Sequence, residues 1–68
     1  MASELQRDQF VRDMEAVGHE VEWYNGRDQY SGPAVRVGRD ELQYVIRETE
    51  VKLQWESMGR DGLIIYPA

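Results

Sequence analysis

The chain has 68 residues, 41% hydrophobic and 31% charged, a globular composition with room for one domain over residues 1–68 and only a thin core. Thirteen acidic against eight basic residues leave a net charge of −5, which argues against nucleic acid or an anionic membrane as the partner, since both select for clustered positive charge. The absence of cysteine excludes a disulfide scaffold, a zinc ribbon, an iron–sulfur site and a thiol nucleophile.

Ser3 and Gln6 are spaced as a capping box, in which serine and glutamine satisfy each other's free amides at a helix start. Phe10, Met14 and Val17 follow at i, i+4 and i+7, with Val11 at the margin, and this spacing predicts an amphipathic helix over residues 3–17, ended by Gly18. His19 to Tyr24 alternates as a strand does, with Val21 and Trp23 on one side and Glu20 and Glu22 on the other. Asn25-Gly26 is the signature of a type I′ turn, so the return strand is expected from Arg27 to Val37. Gly32-Pro33 interrupts it, because proline has no amide to give a ladder. A bulge or an edge position is expected there, splitting the arm into 27–30 and 34–37.

Asp40 and Gln43 make a second capping pair, Leu42, Val45 and Ile46 a buried stripe, and Arg47 suits the negative helix pole; together they predict a helix over 40–48. Val51, Leu53 and Trp55 alternate with Lys52, Gln54 and Glu56, a third strand with one wet face. Residues 58–62 form the turn into a last strand, Leu63 to Tyr66, ended by Pro67.

The order is α-β-β-α-β-β, and its halves echo each other: Trp23-Tyr24-Asn25-Gly26-Arg27-Asp28 against Trp55-Glu56-Ser57-Met58-Gly59-Arg60-Asp61, with a third Gly-Arg-Asp at 38–40. Turn residues recur wherever hairpins do, so the echo does not require a duplication. Two α-β-β units side by side build an α+β fold, one four-stranded antiparallel sheet with two helices on one face, a circular permutation of the ferredoxin-like sandwich. The alternative is a β-meander with helices packed at its ends. The longest apolar run, Leu63-Ile64-Ile65-Tyr66, is far shorter than the roughly 20 residues of a membrane span. Met1-Ala2-Ser3-Glu4 is polar where a signal peptide is basic and then apolar. A cytoplasmic location is expected.

Trp23-Tyr24-Asn25-Gly26-Arg27, Gly32-Pro33-Ala34-Val35 and Leu53-Gln54-Trp55-Glu56-Ser57-Met58-Gly59, closing on Ile65-Tyr66-Pro67, resemble a group of small uncharacterised proteins of cyanobacterial and marine phage-like type. The resemblance covers most of residues 20–67. No activity is attached to that group, so it implies a bacterial, cytoplasmic setting and nothing about function.

For chemistry the residues offer little. His19 is the only histidine, and a metal site wants a second imidazole or converging carboxylates; no metal and no cofactor are expected. Ser3, Ser31 and Ser57 lack a nucleophile-elbow context, and Gly26, Gly32 and Gly38 are not at phosphate-loop spacing. Arg27-Asp28 and Arg60-Asp61 are expected at two hairpin tips, where converging carboxylates would share a proton and do acid–base work. The aromatic residues are the stronger signal. Trp23 and Trp55 are expected in the core beneath the helices, while Tyr24, Tyr30, Ile64 and Tyr66 are expected on the sheet face that the helices leave open. The function expected is therefore a non-catalytic protein-interaction module, acting as a homodimer through the open face or an edge strand. A ligand-binding or enzymatic domain built on Arg27, Asp28, Arg60 and Asp61 is the alternative, and nucleic-acid binding the third.

Overall fold

The structure, a computed structural model, describes residues 2–26 and 30–68. Helix α1 (Glu4–Ala16) starts as its sequence predicts: the Gln6 amide donates to Ser3 Oγ at 3.2 Å and the Ser3 amide to Gln6 Oε1 at 2.9 Å. Gly18 follows the C-cap at φ 92°, the left-handed conformation that spares glycine the Cβ clash. Phe10 and Met14 are buried, whereas Val17, the cap residue itself, is half exposed.

Strands β1 (Val21–Asn25), β2 (Ser31–Val37), β3 (Leu53–Ser57) and β4 (Leu63–Pro67) form one antiparallel sheet in the order β1-β2-β4-β3. A meander is thereby excluded, because β4 sits between β2 and β3. The Asn25-Gly26 turn does not form: Asn25 pairs with Ser31, and the Gly26 amide donates to the Tyr30 carbonyl at 2.9 Å. A two-residue turn there would set Val21 against Tyr30 and Trp23 against Asp28. The observed register sets Val21 against Val35, apolar against apolar, and register follows the buried face. The first expected segment of the return arm, 27–30, lies largely outside the described residues.

Gly32-Pro33 makes no bulge: both residues lie in β2, an interior strand with unbroken pairing to β1, and only on the β4 side is Pro33 at a locally unpaired edge. Hydrogen-bond parity explains how. Residues of an antiparallel strand point their backbone groups alternately to one neighbour and the other, and the Gly26–Tyr30 bond assigns the even residues of β2 to β1. Pro33 therefore faces β4. The β2–β4 ladder runs only from Val35↔Ile65 to Val37↔Leu63; two residues further it would oppose Pro33 to Pro67, neither of which has an amide to donate. The ladder stops where its donors do.

The second helix is much shorter than the 40–48 expected. Arg39–Glu41 is a 3₁₀ turn, and α2 is the single turn Leu42–Val45. Only Val45 of the expected stripe is fully buried; Ile46 is exposed and Leu42 half-buried. The reason lies at Thr49, whose hydroxyl donates to Asp13 Oδ2 at 2.6 Å and accepts the Val51 amide at 3.2 Å. Such local side-chain bonds compete with helical ones, and here they draw the chain back to α1.

Phe10 and Met14 of α1 and Val45 of α2 pack with Val35, Val37, Leu63 and Ile65 into the main core. A second cluster, Ala34, Ile64 and Tyr66, occupies the other side of the sheet. Trp23 and Trp55 correct the sequence reading. Their register partners, Pro33 and Ile65, put them on the α1 side, as the alternation requires, yet Trp23 is 67% and Trp55 44% exposed. Four strands at about 4.8 Å spacing are wider than one helix of about 10 Å diameter can cover, and α2 is too short to add to the cover. Both tryptophans stand on the outer strands, beyond the shelter of α1.

Candidate interaction surface

On the face away from α1, alternation gathers Tyr24, Ile64 and Tyr66 with Tyr30 from just before β2. They do not form an open platform. The Tyr30 and Tyr66 rings stack with centroids 4.4 Å apart, and Tyr24 lies tilted 5.7 Å from Tyr66. The hydroxyls of Tyr24 and Tyr66 both donate to Glu56 Oε2, at 2.9 and 3.1 Å, so one carboxylate oxygen ties three strands together. Beneath this lid Ile64 is 0% and Tyr66 7% exposed. Tyr30 donates to the Pro33 carbonyl at 2.7 Å, and the Arg7 guanidinium sits 5.3 Å from its ring centroid, a cation–π distance. Burial pushes the Tyr30 phenol up, and the positive charge of Arg7 opposes it. At the rim, Arg36 pairs with Glu22 at 3.0 Å. This face is a small aromatic core in its own right.

The two outer edges remain. By the same parity, the even residues of β1 bond to β2, so Val21, Trp23 and Asn25 turn their amides and carbonyls outward. On β3 the Met58 amide donates to the Gly62 carbonyl at 2.7 Å and the Ala68 amide to the Lys52 carbonyl at 2.8 Å, which again assigns the even residues inward and leaves Leu53, Trp55 and Ser57 facing out. Each edge thus presents an unpaired backbone centred on an exposed tryptophan. The edges differ in their guards. At β3, Arg39 donates to Ser57 Oγ at 2.8 Å and to the Gly59 carbonyl at 3.1 Å, laying a guanidinium across the strand end, and Lys52 adjoins the other end. Charge so placed protects an edge from pairing. Within β1 the one charged side chain, Glu22, is already paired on the opposite face, and Glu20 adjoins its start as Lys52 adjoins that of β3.

The expected convergence of the arginine–aspartate pairs falls in part on residues outside those described. Arg27 and Asp28 lie outside the described residues, and the strand ends that flank them, Asn25 and Ser31, are at the end of the sheet opposite Ser57 and Leu63, which flank Arg60 and Asp61. The length of β2, seven residues or roughly 20 Å of strand, separates the two ends. The neighbour of Arg60-Asp61 is instead the third repeat: Gly38-Arg39-Asp40 and Gly59-Arg60-Asp61 line one open groove of ≈ 320 Å³, their charges largely in solvent. His19 Nε2 lies 3.2 Å from Glu48 Oε1 and joins the α1–β1 turn to the segment after α2. Nearby, the Thr49 hydroxyl and the Gln9 amide hold the Asp13 carboxyl below its ordinary range. Among the described residues, no group of three or more His, Cys, Asp or Glu is arranged to hold a metal ion and no helix is long and apolar enough to cross a membrane.

The residues that the sequence reading missed are Trp23 and Trp55 as surface groups. Their signal was the width of the sheet: one long helix, marked by its caps, leaves the residues of two outer strands with nothing to cover them. No protein-family model, no curated protein and no solved structure matches the chain.

Proposed function

We propose that the protein is a non-catalytic interaction module that works as a homo-oligomer, and that it binds through the edge of its sheet at β1. One observation carries this reading: Trp23, two-thirds exposed, stands at the centre of an unpaired edge strand. Tryptophan is the residue most enriched where binding energy concentrates, and a domain of this size gains from association the burial that its own core lacks. The closure of Tyr24, Ile64 and Tyr66 under Glu56 speaks for the edge over the open face, the other surface weighed from the sequence. We further read the 1-2-4-3 order as a permuted ferredoxin-like sandwich with both helices on one face, supported by the single core that Phe10, Met14 and Val45 share.

Light scattering across a dilution series tests the reading. A species of twice 8.0 kDa at high concentration is expected, and 8.0 kDa throughout overturns it. Retention on a polyanion column that weakens with salt would favour nucleic-acid binding instead.

A further inference from the structure

We infer that two copies of the chain join β1 to β1 in antiparallel fashion about a twofold axis at Trp23, making one continuous eight-stranded sheet. The inference rests on the proposed self-association and names its surface and its partner. Backbone valence comes first. Val21, Trp23 and Asn25 each turn an amide and a carbonyl outward, and an axis at Trp23 sets Val21 against the partner's Asn25 and Trp23 against the partner's Trp23, all in hydrogen-bonded positions. Six backbone hydrogen bonds close with no group left over.

Side-chain complementarity selects this register. On the far face Glu22 meets the partner's Tyr24, so no like charges oppose. Sliding by two residues, the smallest shift that keeps the parity, moves the axis by one residue: at Glu22 it opposes the two Glu22 carboxylates directly, and at either Glu22 or Tyr24 it closes only four of the six bonds available within Val21–Asn25. The β3 edge does not offer the same fit. Trp55 is better covered, Arg39 sits across Ser57, and Glu56 is already engaged by two tyrosine hydroxyls.

Shape agrees. α1 packs against β2, β4 and β1, and with α1 over β2 the two helices of the pair stand three strand spacings apart, about 14 Å. Helices in contact stand about 8–10 Å apart. The trough between them needs filling, and the two Trp23 indoles lie at its floor. They supply on the order of 300 Å² of aromatic surface. The rest comes from strand backbone and flanking side chains, an interface at the small end of specific ones, near 1,200 Å², so dilution is expected to dissociate it. Twofold closure also uses up the exposed edge, which a head-to-tail contact of β1 with β3 would leave open to filaments.

The test combines residue-resolved amide exchange with two variants of the full chain. Expected are slow exchange at the Val21, Trp23 and Asn25 amides at high concentration, lost on dilution, and fast exchange at Leu53, Trp55 and Ser57 throughout. Trp23→Glu, which opposes two carboxylates at the axis, gives a single-chain species with unchanged far-ultraviolet circular dichroism. Trp55→Glu leaves the pair intact. A two-chain species that survives Trp23→Glu, or whose protected amides are those of β3, overturns this geometry while self-association stands. Mass that grows without limit also overturns it, in favour of β1–β3 contacts. A single chain at every concentration ends both the geometry and the reading on which it rests.

Discussion

Replacing Gly62 by alanine should cost most of the stability of the domain. Gly62 leaves the β3–β4 turn at φ 88° and ψ −133°, a conformation open to glycine and strained for any residue with a Cβ. Space is the second problem. A Cβ on Gly62 would be driven into the Val37 carbonyl oxygen, with the Val37 carbonyl carbon 3.1 Å and Gly38 Cα 3.3 Å away. All three are backbone atoms of β2 and its exit, so no rotamer change relieves the clash, and the 2.7 Å bond from the Met58 amide to the Gly62 carbonyl resists movement from the other side. Backbone strain of about 1–3 kcal/mol and overpacking of a similar size add to about 4 kcal/mol. A chain of 68 residues has in all only about 3–10 kcal/mol. Gly59 is the control: its φ is 64° but nothing lies within 4 Å of an added Cβ, so Gly59→Ala should lose only the left-handed penalty of about 1–2 kcal/mol. Urea denaturation followed by circular dichroism measures both. If Gly62→Ala falls within about 1 kcal/mol of Gly59→Ala, the close approach of the turn to β2 is wrong.

Trp55→Ala should be tolerated at a cost of roughly 1–2 kcal/mol, because nearly half of its surface is in water, whereas Phe10→Ala, fully buried, should cost the usual 3–5 kcal/mol; equal shifts in the urea midpoint would contradict the burial assignment. Ser3→Ala should lower stability by about 1 kcal/mol, read as a thermal midpoint, and an unchanged midpoint would show the capping box to be idle. The Asp13 carboxyl is held down first by the Thr49 hydroxyl and then by the Gln9 amide. A folded-state value below the unfolded one gives stability that is fully present above the ordinary carboxylate range and is lost as pH falls through the folded value. The gap in urea midpoint between the parent and Thr49→Val should therefore narrow in acid, and a gap independent of pH would remove Asp13 from the account.

What could be read from residue order was local. The caps at Ser3, Gln6 and Gly18 mark α1 because each acts within a few residues of itself. Strand alternation likewise assigns Trp23 and Trp55 to the α1 side and Tyr24, Ile64 and Tyr66 to the other. Coverage was not readable, because it depends on how far a neighbouring element reaches. Thr49 ends α2 by bonding to Asp13, 36 positions away in the chain, and that early end leaves the tryptophans bare. The Asn25-Gly26 signal failed for a similar reason: a turn preference competes with the register that places Val21 beside Val35, and the register prevails. The tyrosines were placed on the correct face, but their shared acceptor, Glu56, reaches them only across strands that are distant in sequence. Arg60-Asp61 found its neighbour at the third repeat, Gly38-Arg39-Asp40, a consequence of strand order that spacing alone does not carry.

Trp23, bare on one chain, is on this proposal covered by a second. Trp55→Phe leaves Trp23 as the sole indole, and its fluorescence then reports that surface directly. Emission shifted to the blue is expected at high protein concentration, moving to the red, solvent-exposed position on dilution in step with the fall in mass. A solvent-exposed emission that stays constant across the whole range, in a protein that remains folded, would contradict it.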